Sequence, residues 1–133
     1  METPDDLREW HRLIKKGQLA LIRKFVADGA DVNARSRFGW TPLMLAANEG
    51  NSAVIEYLLA QGTDVNAVND AGASALSYAA LQAECSSMQV LLAANASVNV
   101  RPHGVSLMEF AEKWGGCPGT HRHLEILRNA GAA

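Results

Sequence analysis

Apolar residues along this chain cluster with helical spacing, in short runs separated by small and polar residues. Between Thr41 and Gly62 the pattern resolves into two helices. Thr41-Pro42 is a start signal: threonine caps the exposed amides of the first turn, and proline sits where its missing N–H is not needed. Leu43, Leu45, Ala46 and Ala47 then supply an apolar face, and Gly50-Asn51-Ser52 breaks the helix and starts the next. Val54, Ile55, Leu58 and Leu59 fall on one face of a second helix, ending where Gly62 can take a left-handed cap. Leu7, Trp10, Leu13 and Ile14 form an earlier helical stripe, which places Trp10 in the core. Ser106-Leu107-Met108-Glu109 reads as a capping box at the head of a later helix.

The two-helix unit recurs. Asp31-Val32-Asn33-Ala34 returns as Asp64-Val65-Asn66-Ala67 and, in weaker form, as Ser97-Val98-Asn99-Val100, both at an interval of 33 residues. Trp40-Thr41-Pro42-Leu43 lines up with Ala73-Ser74-Ala75-Leu76 and with Val105-Ser106-Leu107-Met108, while Gly29, Gly62, Asn95 and Gly131 keep register. A fixed period of this length marks stacked units that bury their faces only against neighbours. Four units are expected, near 5–34, 35–67, 68–99 and 100–133, in one domain over 1–133. The position held by Leu45, Tyr78 and Phe110 carries Arg12 in the first unit, and His123 and Arg128 stand where the second unit has Val54 and Leu59. Polar outer faces are what terminal units require, so the array is expected to be complete.

Thr41-Pro42-Leu43, Ala46-Ala47, Gly50, Leu58-Leu59, Gly62 and Asp64-Val65-Asn66-Ala67 resemble the ankyrin repeat. The resemblance is closest from Thr41 to Gly62 and extends more loosely from about Leu7 to the end of the chain. Met44, Ser77 and Glu109 stand where the family prefers histidine, and Ala75 and Leu107 replace its proline. The resemblance implies an all-α solenoid of helix–turn–helix units with projecting β-turn or hairpin loops. It also implies a binding face made by those turns and by the exposed side of each first helix.

Composition narrows the function. With 48% apolar and 20% charged residues the chain is globular, and a net charge of −2 offers no general attraction to nucleic acid or an anionic membrane. No apolar run approaches the ~20 residues of a membrane span, and Met1-Glu2-Thr3-Pro4-Asp5-Asp6 lacks a secretory layout, so the expected compartment is the cytoplasm. Cys85 and Cys117 are too few for a disulfide scaffold and are expected to stay reduced. No phosphate-cradling glycine motif or nucleophile–base set is brought together by the repeats, so neither catalysis nor a cofactor is expected.

Carried onto this sequence, the family's binding face takes Arg35, Arg37, Phe38, Trp40, Asn48 and Glu49 from the second unit. The third gives Val68, Asp70, Ala71, Leu81 and Gln82, and the fourth Arg101, His103, Val105, Lys113 and Trp114. Arg35-Ser36-Arg37-Phe38-Gly39-Trp40 stands out, because tryptophan and arginine dominate binding hot spots. Trp40→Ala is expected to weaken binding with little change in the thermal midpoint; the alternative is a Trp40 that stiffens the stack. Arg35, Arg37, Arg101 and His103 suggest a protein partner with an acidic patch, bound by a chain that is monomeric when free. Both a general adaptor and a dedicated inhibitor or immunity-type protein fit this description. A weaker alternative is a metal site from Cys117, His121 and His123, since zinc needs three or four converging ligands and two histidines two residues apart on a helix diverge.

Overall fold

The computed structural model describes residues 12–114 and 122–132. Helical residues 12–16 and α1 (Leu19–Ala27) form the first pair. Then follow α2 (Pro42–Glu49) with α3 (Ser52–Ala60), α4 (Ala75–Leu81) with α5 (Cys85–Ala93), and α6 (Leu107–Trp114) with α7 (Arg122–Asn129). Helices α2, α4 and α6 pack successively in one layer and α3, α5 and α7 in a second, each unit bridging the two. The described residues contain no strand, and none of their helices is long and apolar enough to cross a membrane. Leu43, Ile55, Leu58, Leu76, Met88, Leu91, Leu107 and Leu127 are completely buried and make a core continuous from unit to unit. Leu13 and Ile14 join it, whereas Leu7 and Trp10 lie outside the described residues.

The local start and stop chemistry works as the residue types dictate. Thr41 Oγ1 accepts the Met44 amide at 3.3 Å, and Asn51 Oδ1 accepts the Val54 amide at 3.1 Å. Ser106 Oγ accepts the Glu109 amide at 3.2 Å. A reciprocal box also forms where the sequence did not suggest one: Ser74 Oγ accepts the Ser77 amide and Ser77 Oγ accepts the Ser74 amide. Serine at 77 thus ties down the first turn of α4. Asn95 takes the left-handed conformation (φ 68°) expected from its alignment with Gly62.

The recurring Asp-Val-Asn string has a structural reason. Asp31 and Asp64 close local turns by accepting the amides of Asn33 and Asn66. The asparagine side chains then reach forward. Asn33 Oδ1 accepts the Asp64 amide at 3.0 Å, and Asn66 Oδ1 accepts the Ser97 amide at 2.7 Å. Each asparagine therefore clips its unit to the next.

The bend between first and second helices is occupied by Gly50 (φ 70°) in the second unit and by Ala83 (φ 54°) in the third. A side chain in this conformation is strained by ~1–2 kcal/mol. Ala83→Gly is therefore expected to raise stability by ~1 kcal/mol, seen as a higher urea midpoint at unchanged slope. A lower midpoint would show that the bend is unstrained.

One end differs from expectation. Arg12 and Arg128 are exposed, as terminal positions should be, but His123 is buried at 3% exposure. It occupies the inward position that Val54 and Ser87 fill in earlier units, both also buried, so the repeat geometry carries the imidazole inward. Neither of its ring nitrogens has a hydrogen-bond partner among the described residues.

Candidate functional site: an aromatic groove beside the turns

The projecting turns are joined edge to edge by the main chain. The Asp70 amide donates to the Phe38 carbonyl at 2.9 Å, and the His103 amide donates to the Ala71 carbonyl at 2.7 Å. Side chains reinforce this edge. Arg35 Nη1 donates to the carbonyls of Gly39 (3.3 Å) and Val68 (2.8 Å), and Arg101 Nη2 donates to the Gly104 carbonyl at 2.9 Å. Arg35 and Arg101, two of the three arginines proposed as partner contacts, therefore also brace turns while remaining exposed. The Arg37 backbone belongs to the short 3-10 turn Arg37–Gly39.

Asn69 organises the third turn and was not singled out from the sequence. It is buried, its Oδ1 accepts the Ala71 and Ala73 amides, and its Nδ2 donates to Tyr78 Oη at 2.7 Å. An asparagine opening a turn before a glycine is the signal that could have found it. Burial pushes the Tyr78 hydroxyl's pKa above its ordinary 10.0, against the smaller opposing effect of the Asn69 bond, so the phenol stays neutral.

Aromatic rings gather on the side of these turns that faces the first helices. Trp40 stacks on Tyr78 with centroids 4.3 Å apart, His103 stacks on Phe110 at 5.9 Å, and Trp114 tilts against Phe110 at 5.4 Å. Two open depressions result. One, of about 470 Å³, is lined by Phe38, Trp40, Asn69, Asp70, Ala71, Tyr78 and His103. Its neighbour, of about 590 Å³, is lined by Tyr78, Leu81, His103, Phe110 and Trp114. Tyr78 and His103 belong to both, so the depressions form one groove across three units. Phe38 and Trp114 are exposed at 61% and 49%, which leaves large apolar area facing water.

The groove thus brings together Phe38, Trp40, Asp70, Ala71, Leu81, His103 and Trp114 of the residues singled out from sequence. Lys113 sits beside it, with Nζ 4.8 Å from the Trp114 ring centroid. Gln82 donates to Asn48 at 3.0 Å across neighbouring units, and Glu49 is exposed at the end of α2. Tyr78 and Phe110 are buried but also form part of the groove wall. Trp40 is half-buried against Tyr78, so its removal will reach the fold as well as the surface.

Backbone conformation sharpens this. Phe38 (φ 66°) and His103 (φ 53°) are held in the left-handed region, which disfavours bulky side chains. Strain of this kind, held in place by surrounding structure, concentrates at functional surfaces.

Two other candidates have less to stand on. Cys117 and His121 lie outside the described residues, which contain no group of three or more metal-ligating side chains. Cys85 is a free thiol opening α5.

Similarity to known proteins agrees with the geometry. Two curated relatives, both named Protein phosphatase 1 regulatory subunit 27, from Homo sapiens and Mus musculus, are each 36% identical to the chain over 47 residues. That stretch covers 35% of this chain and 30% of either relative, so the match spans less than a third of their length. A family model described as ankyrin repeats (3 copies) matches residues 10–102. With that match over most of its length, and with helix pairs stacked at the matching period, the chain belongs to the ankyrin-repeat family.

Proposed function

We propose that this chain is a non-catalytic module that binds a protein partner in the aromatic groove of units two to four. Ankyrin repeats are protein-interaction modules. The observation that carries the reading is the continuous groove, with Phe38 and Trp114 exposed at its two ends. Exposed tryptophan beside a depression is the residue type that most often dominates binding energy. The guanidinium charges of Arg35 and Arg101 at the turn edge favour acidic residues on the partner's rim, adding more to encounter rate than to affinity. The array of four units is read as one domain, monomeric and cytoplasmic when free.

Trp114→Ala tests this. Its ring is exposed, so the melting temperature should stay within ~2 °C of the parent, because exposed substitutions cost ~0.5 kcal/mol or less. Affinity for a captured partner should fall ~30-fold or more, the equivalent of ~2 kcal/mol. Unchanged affinity would remove the groove from the interface.

A second reading has its own support. Two partly similar proteins are named as regulatory subunits of a phosphatase, which favours a partner that is an enzyme and a role as its inhibitor or regulator. Stoichiometric loss of a partner's activity on complex formation separates this from simple adaptor binding.

A further inference from the structure

We propose that the groove's occupant is a proline-rich segment in the polyproline II conformation, with a basic residue toward Asp70 and an acidic residue toward Lys113. This rests on the groove being the binding face and specifies what fills it.

The walls favour proline. Trp40 and Tyr78 present stacked rings to one depression, and Phe110, His103 and Trp114 line the next. Flat aromatic walls accommodate pyrrolidine rings, as in other aromatic-lined grooves that take proline-rich ligands. The donors point the same way. Neither the Trp40 nor the Trp114 indole N–H has an acceptor among the described residues. A polyproline II strand bonds none of its own carbonyls and so offers acceptors to both, whereas a docked α-helix has its carbonyls already bonded within itself.

Spacing agrees. Packed helices lie ~8–10 Å apart, so the two depressions are offset by about that distance from unit to unit. Three residues of polyproline II rise ~9 Å, so prolines at i and i+3 fall in successive depressions.

Charge gives the strand a direction. The Asp70 carboxylate has no ion-pair partner among the described residues and lines the first depression. Lys113 lies over Trp114 at the far end. A segment running from a basic flank to an acidic flank places each charge against its opposite, and the reversed segment places like charges together.

The test uses the full chain and a synthetic peptide with two prolines three residues apart, a lysine at one flank and a glutamate at the other. The controls are the same peptide with alanine for both prolines and an amphipathic helical peptide of equal length. Titration is followed by the indole N–H resonances of Trp40 and Trp114. The proposal expects both to shift with the proline peptide, and binding at least ~10-fold weaker for the alanine control. Trp114→Phe, which keeps a ring and removes the donor, should weaken the proline peptide several-fold without changing the melting temperature. Equal shifts with the alanine control, or none with the proline peptide, overturn the proposal. Tighter binding of the helical peptide at the same resonances also overturns it, yet leaves the groove as the binding face. If selected peptide ligands bind the Trp114→Ala chain as well as the parent, the groove itself is wrong.

Discussion

Leu58→Ala is expected to cost ~2–5 kcal/mol of stability, a large part of the ~5–15 kcal/mol margin of an ordinary domain. Leu58 is completely buried on α3, and α3 packs against both α2 of its own unit and α5 of the next. Removing three carbons there takes away their transfer energy and opens a space between helices of two units. Local collapse would have to shift whole helices, so most of the cavity should remain. Urea denaturation measures the loss directly, and the melting temperature should drop by ~10 °C or more. Partner binding should decline only in step with the folded fraction. A cost under ~1 kcal/mol would mean that the layers slide to fill the gap.

Gly72→Ala should be the most damaging change on the turn edge. Gly72 has φ 75°, and a Cβ there would lie 2.9 Å from the carbonyl oxygen of Arg101 in the following turn. That oxygen already accepts the Gly104 amide, and the neighbouring Ala71 carbonyl holds the His103 amide. The new methyl group must therefore displace backbone that positions one wall of the groove. We expect a loss of ~2 kcal/mol or more, composed of ~1–2 kcal/mol of left-handed strain and the displacement. Binding should weaken beyond what unfolding explains. Gly62→Ala is the control: its φ is 86°, but a Cβ there meets nothing within 4 Å, so it should show the strain alone. Equal losses in the two variants would mean that the turns do not approach each other as closely as described.

What could be read from the sequence was what depends on neighbours along the chain. Thr41 and Pro42 start a helix by their own chemistry, Asn95 substitutes for glycine because its backbone tolerates positive φ, and the 33-residue period needs only alignment of the chain with itself. What escaped depends on residues a full period apart. The bond from Arg35 to the Val68 carbonyl, the contact of Trp40 with Tyr78, and the sharing of Tyr78 and His103 by two depressions arise only when one unit is laid on the next. Residue type misled in one place, where a histidine on a terminal helix suggested a wet surface and lies inside; the arginines expected as partner contacts also hold carbonyls. The seven groove residues anticipated from sequence came from the family resemblance; Asn69 and the second role of Phe110 did not.

The forward clips and the main-chain bonds between turns put several loop amides, at Asp64, Asp70, Ser97 and His103, under the control of the preceding unit. Such amides lie outside the α-helices yet are tied to the preceding unit, so their protons should exchange with deuterium at rates set by separation of units rather than by fraying of loops. Asp64 should follow the first unit's release, Asp70 and Ser97 the second's, and His103 the third's. Isotope exchange would thus resolve the order in which the stack comes apart from positions that ordinarily report nothing.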